Sequence, residues 1–173
     1  MAIRGVLGAA NGSFVLDPGS DGPLSGAALG ALGTPFCSAV ANSSGLPAAI
    51  AAFGSEAATD DDLVLHAVCL PEGQFGYFLA SQTQAQPPVT PPGRQGVLCL
   101  AGNIGRYTTT AQIIQGPTGS IQVDLTSIPV NPPTAVLPGD TWNFQCWYRD
   151  NNPGPTSNFT DAVSVTSRIG LSS

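Results

Sequence analysis

Apolar and polar residues alternate most cleanly between Gly139 and Asp150, where the chain reads Gly-Asp-Thr-Trp-Asn-Phe-Gln-Cys-Trp-Tyr-Arg-Asp. Successive side chains on a pleated strand point to opposite faces, so this stretch predicts a strand with Trp142, Phe144, Cys146 and Tyr148 facing a core. Asn143, Gln145, Trp147 and Arg149 fall on the other face, a polar surface carrying one large aromatic ring. Pro138-Gly139-Asp140 turns into the strand, and Asp150-Asn151-Asn152-Pro153-Gly154-Pro155 turns out of it.

The same reading extends along the chain. Leu63–Leu70 is apolar on both sides and predicts a central strand. Gln74–Gln82 follows it, then a proline-dense loop from Gln86 to Gly93. Val97–Leu100 is a short apolar strand, and Ile104–Gln115 holds one strand or two. Ser120–Thr126 turns Ile121, Val123 and Leu125 inward, and Thr134–Leu137 and Asn158–Thr166 complete the series. Ala48–Ala58 admits a helix because of its alanines. About eight strands separated by turn signals predict an all-β fold, a two-sheet antiparallel sandwich of immunoglobulin-like or jelly-roll kind.

Residues 1–34, rich in Gly and Ala, read as an arm or linker, 35–168 as the sandwich domain and 169–173 as a tail. Val6–Ala10 is cut short by Asn11-Gly12 and does not make the apolar core of an export signal. Leu24–Gly33 is too short and too rich in glycine to span a membrane.

Composition narrows the chemistry. The chain has 173 residues, 42% of them hydrophobic and 9% charged, with a formal charge of -6, which suits one domain with a real core. All five basic residues are arginines, and no lysine occurs. That inventory excludes P-loop and Schiff-base chemistry, and the acidic balance without a basic stripe argues against nucleic acid. Cys37, Cys69, Cys99 and Cys146 form no Cys-x-x-Cys pair, so metal ligation gives way to two disulfides in an oxidising compartment. Four buried thiols in a reducing one are the other reading. The residues themselves leave all three pairings open.

Candidate sites are few. His66 is the single imidazole and no Gly-x-Ser-x-Gly elbow presents a nucleophile to it, so a structural histidine is expected. Asp60-Asp61-Asp62 and Asp150-Asn151-Asn152 offer oxygen ligands to calcium but lack EF-hand spacing; solvated turns are the plainer reading. No cofactor is expected. Asp161 shares the inward parity of Phe159, Val163 and Val165, and a buried carboxylate needs partners; Arg149, with Arg106 as the other candidate, would form a structural ion pair with it. No pair of carboxylates stands out for glycoside hydrolysis. Trp147, Tyr77 and Tyr107 could form an aromatic platform for sugar rings, unless Trp147 packs under the proline-dense loop. Sequons stand at Asn11, Asn42 and Asn158.

Five segments together carry a resemblance: Cys37-x(4)-Asn42-Ser-x-Gly45, Leu98-Cys-Leu, Ile104-Gly-Arg106, the Gly139–Asp150 stretch and Ser157-Asn-Phe-Thr-Asp-Ala-Val-Ser-Val165. Over about residues 35–166 the chain resembles a module found at the C-terminal end of large secreted or surface proteins of environmental bacteria. The resemblance implies export and a β-sandwich without catalytic residues. It also implies that Cys37 pairs with Cys99 and Cys69 with Cys146. The resulting expectation is a non-enzymatic extracellular module, structural or adhesive, whose partners are other modules or copies of itself through an exposed strand edge. A carbohydrate-binding module is the rival and a hydrolase the third reading.

Overall fold

The computed structural model describes residues 30–125, 127–130, 132 and 134–169. The arm expected over 1–34 lies outside the described residues up to position 29, and the tail does so from position 170. The chain forms β1 (Thr34–Phe36), β2 (Ala49–Phe53), β3 (Val64–Val68), β4 (Phe75–Ser81), β5 (Thr83–Val89), β6 (Leu98–Ala101), β7 (Gly105–Arg106), β8 (Gln112–Ile113), β9 (Ile121–Asp124), β10 (Thr141–Asn151) and β11 (Pro155–Thr166), with a 3-10 turn at Thr108–Thr110. Every ladder between these strands is antiparallel. One sheet runs β1-β11-β10-β4-β7, with β8 added on β4; a second runs β2-β3-β9; and β5 and β6 form a hairpin.

The expected sandwich is present. Trp142, Phe144, Cys146 and Tyr148 do face one core, where they meet Ile50, Leu65, Ile121 and Val123 of the three-stranded sheet. β3 is central in that sheet, but it buries Leu65 and Ala67 and leaves Val64, His66 and Val68 half-exposed. The alanine-rich stretch is strand β2, not helix: pairing with β3 satisfies its backbone and turns Ile50 and Ala52 into the core, and that tertiary gain outweighs alanine's local preference. The ordered domain also starts before residue 35, since Leu32 N–H donates to Ala52 O at 2.7 Å and its side chain packs on the core.

Behind the six-stranded sheet lies a third layer. Leu100 of the β5–β6 hairpin clusters with Leu79 and Phe159 of the sheet, with Trp147 and Tyr77 packed at the side of this smaller cluster. The stretch expected as a proline-dense loop therefore contains a strand. Pro87 and Pro88 fall where the β5–β6 register shifts, between Gln84 and Val89, so their missing N–H groups cost no ladder bond. The β10 face expected to be polar surface is covered as well: Asn143 and Gln145 are both buried.

β11 holds the main irregularity. Gln145 pairs with Ala162, but Trp147 pairs with Phe159, so two steps on β10 match three on β11 and a bulge falls at Thr160-Asp161. Past the bulge the strand changes faces. Val163 and Val165 sit in the main core, whereas Phe159 joins the hairpin cluster. Thr160 Oγ1 accepts the Cys146 N–H at 2.9 Å, replacing the ladder bond that the bulge removes.

Candidate functional site

Trp147 follows the covered part of β10 and emerges where the hairpin layer ends. Its ladder partners are Tyr77 on β4 and Phe159 on β11. The Trp147 and Tyr77 rings lie 4.8 Å apart at 34°. Phe75, two residues before Tyr77 and on the same face, stands edge-on to both, at 6.1 Å from Tyr77 and 6.3 Å from Trp147. Trp147 Nε1 donates to Ser157 Oγ at 3.0 Å, which fixes the indole plane. The guanidinium carbons of Arg94 and Arg149 each lie 5.9 Å from the centre of the indole ring. Both arginines are exposed, Phe75 is exposed, and Tyr77 and Trp147 are half-buried.

Two features hold this face. Arg149 follows Trp147 by two residues on one strand, so pleating alone puts it beside the ring. Arg94 arrives on the loop between β5 and β6. Gln95 N–H bonds to Ser157 O at 3.1 Å, Thr156 Oγ1 donates to Gly93 O at 3.2 Å, and the Gln95 side chain donates to Asn152 O. Gly96 lets that loop lie flat on β11, because a Cβ there would collide with Asn158 Oδ1. A guanidinium over an indole gains roughly 0.5–1 kcal/mol at an exposed site, and its in-plane N–H groups remain available to an anion. The arrangement can therefore stack on a ligand's apolar face and hydrogen-bond its negative groups.

The third ring expected in the platform is elsewhere. Tyr107 is buried in the main core, its hydroxyl donating to Ser127 O at 2.8 Å, and burial raises its pKa well above the phenolic range. It follows β7, whose pairing with β4 carries it inward: Tyr107 N–H bonds Phe78 O at 2.9 Å. Phe75 and Arg94 take its place. Phe75 was legible as the second residue before Tyr77 on one strand face; Arg94 was hidden in the proline-dense segment.

No family model, curated protein or solved structure matches the chain.

The expected Asp161–Arg149 ion pair does not form. Asp161 belongs to the bulge and turns toward β2, where its Oδ1 accepts the Ile50 N–H at 2.8 Å. Arg149 lies past the bulge opposite Ser157 and over Trp147, and Arg106 is on β7, with β10 and β4 between it and β11. Burial pushes the Asp161 carboxyl up to about 6, against a smaller lowering by the Ile50 N–H. An acid with a raised folded pKa binds more protons folded than unfolded. Its stabilising effect is complete below the ordinary aspartate value of 3.8 and is lost as pH rises through about 6. Asp161→Asn keeps the acceptor and removes the titration. The variant is expected to gain about 2 kcal/mol over the parent between pH 4 and pH 7, read by urea melts at each pH. The half-buried His66 has a pKa lowered by burial and acts in the opposite sense, but it is common to both proteins and cancels in the difference. A parallel pair of pH profiles would refute the assignment.

The cysteines divide. Cys37 and Cys99 are disulfide-bonded, with Cα atoms 6.4 Å apart. Cys69 and Cys146, the other pair implied by the resemblance, are free thiols. Cys146 lies in the middle of β10, wholly buried, and burial raises its pKa beyond the thiol range. Cys69 stands just past β3 with φ 58°, its N–H bonded to Thr118 O. Both thiols lie near Tyr148, whose hydroxyl takes a 3.4 Å bond from Asn42 Nδ2, and they stay unlinked.

The acidic loops serve the chain's own N–H groups. Asp62 Oδ1 accepts from Ser55 N–H at 2.8 Å. The buried Asp150 takes the Ser43 N–H on both oxygens at 3.2 Å and the Asn151 N–H at 2.8 Å. Among the described residues no group of three or more His, Cys, Asp or Glu side chains gathers in a form able to hold a metal ion. His66 lines a shallow depression with Gln112, Gln115, Ser120 and Gln122. Of the sequons, Asn42 and Asn158 are buried and Asn11 lies outside the described residues. No helix among the described residues is long and apolar enough to cross a membrane.

Proposed function

We propose that the chain is a non-enzymatic, extracellular adhesive module and that its contact surface is the Trp147 face, which engages acidic glycans. The observation that carries this reading is the clustering of Phe75, Tyr77 and Trp147 with two exposed arginines stacked at the indole. Aromatic faces match the apolar faces of sugar rings, and guanidinium forks match carboxylate and sulfate groups. An extracellular setting accords with the Cys37–Cys99 disulfide, since such bonds persist in oxidising compartments. The resemblance to modules of secreted or surface proteins points the same way.

A glycan array that includes uronate-containing, sulfated and neutral chains tests the proposal. Binding is expected on the acidic chains, and it should weaken as salt rises past about 0.15 M. Arg149→Gln, which leaves the strand intact, should reduce affinity about tenfold, and Trp147→Ala should abolish binding with the β-type circular dichroism spectrum preserved. Silence across acidic glycans, or equal binding by the Arg149→Gln protein, would rule the reading out.

A further inference from the structure

The aromatic face does not stop at Tyr77. Gly76 of β4 stands opposite both Tyr148 of β10 and Gln112 of β8, so the next row across the sheet holds Arg149, Phe75 and Ile113. Phe75 and Ile113 are direct ladder partners, and such partners project from the same side of a sheet. The Ile113 side chain therefore lies beside the Phe75 ring, on the side that carries Tyr77 and Trp147. Phe75 is 37% exposed and Ile113 54%. A single exposed apolar side chain is ordinary, but one that continues an aromatic cluster enlarges a binding surface. Neighbouring strands lie about 4.8 Å apart, which sets Ile113 about 10 Å from the Arg149 position. The two ends of the row differ in charge. Arg94 and Arg149 stand at the β10 end. At the β8 end, the turn before β4 carries the exposed Glu72, and the Gly73 N–H on Ile114 O at 2.9 Å and the Ile114 N–H on Gln74 O at 2.8 Å hold that turn against the end of β8.

We propose that the ligand of this face is an acidic sugar bearing a short apolar substituent, an acyl or alkyl group. Its anionic group meets Arg94 and Arg149, its ring stacks at Trp147 and Tyr77, and its substituent lies on Phe75 and Ile113. The inference rests on the acidic-glycan function proposed for the face and narrows it to one kind of sugar. A chain charged on every residue would press an anion onto apolar side chains and toward the Glu72 carboxylate, at a cost in desolvation and repulsion. An apolar group in the same place gains by leaving water. The patch formed by Phe75 and Ile113 is small, which suits a short substituent rather than a lipid tail.

An NMR titration of the full chain with methyl glucuronide, butyl glucuronide and butyl glucoside, read at the Trp147 indole N–H, provides the test. Butyl glucuronide should bind about tenfold tighter than methyl glucuronide through partial burial of its added methylenes. It should also bind about tenfold tighter than butyl glucoside, which lacks the carboxylate. Ile113→Thr keeps a β-branched residue at this exposed strand position; it should bring butyl glucuronide down to the level of methyl glucuronide and leave the methyl compound unchanged. If neither glucuronide shifts the resonance, or if butyl glucoside binds as well as butyl glucuronide, the acidic-glycan function fails and this inference falls with it. If both glucuronides bind but equally, or if the butyl preference survives Ile113→Thr, the apolar subsite alone is overturned.

Discussion

Gln145→Ala is expected to cost about 4 kcal/mol of stability, more than any other single polar substitution in the sheet. Gln145 is fully buried, and its amide joins two layers of the fold. Nε2 donates to Val97 O at 2.9 Å and to Thr160 O at 2.8 Å, and Oε1 accepts the Cys99 N–H at 3.0 Å. Truncation leaves these three main-chain groups without that partner. Each orphan costs about 1–3 kcal/mol, and the void adds to the sum. Gln145→Leu separates the terms, since it restores the volume but none of the bonds; it should recover only a minor part of the loss. Denaturant melts read the effect as a lower midpoint at unchanged slope, and amide exchange at Cys99 should accelerate as the hairpin loosens. A loss below 1 kcal/mol would mean that the Gln145 amide does not clamp the hairpin layer.

Gln145 also shows why some of this fold was legible and some was not. Alternation along β10 correctly predicted Trp142, Phe144, Cys146 and Tyr148 as core. The same alternation placed Asn143 and Gln145 on the far face but could not tell water from a covering hairpin. Both environments offer hydrogen bonds, so both admit an amide. The hairpin escaped notice because Pro87 and Pro88 read as loop, although at a register shift they break nothing.

Asp161 is the complementary case. Its parity with Val163 and Val165 was real, but the parity of Phe159 was not, because the bulge at Thr160-Asp161 inserts one residue between them. Bulges have no hydrophobic signature, and one extra residue flips every side chain beyond it. The expected partner of Asp161 fails for a plainer reason: Arg149 keeps the Gln145 and Trp147 face of β10, whereas Asp161 turns toward β2 on the other side of the sheet. At the candidate site, Tyr77 joins Trp147 as its ladder partner on β4, and Trp147 itself followed from strand parity. Tyr107 did not, since β7 is only two residues long and gives pattern reading nothing to phase.

Opening the Cys37–Cys99 bond should be nearly as costly as losing Gln145. The bond closes a loop with a sequence separation of 62, for which chain entropy gives about 4 kcal/mol. Its location makes the effect more than entropic bookkeeping. Cys37 follows β1 at the edge of the six-stranded sheet, and Cys99 lies in β6 of the hairpin, so the bridge ties the third layer to the second at the residue whose N–H Gln145 holds. Two clamps meeting at Cys99 should not act independently. In a double-mutant cycle, Gln145→Ala combined with Cys37→Ala and Cys99→Ala should cost less than the sum by about 1 kcal/mol or more, because a hairpin already released by one change has less to lose from the other. Alkylation under denaturing, non-reducing conditions tests the premise separately: Cys69 and Cys146 should be modified, while Cys37 and Cys99 stay protected until reductant is added. Strict additivity would show that the bridge and the glutamine hold different things, and four modified thiols in oxidised protein would remove the bridge itself.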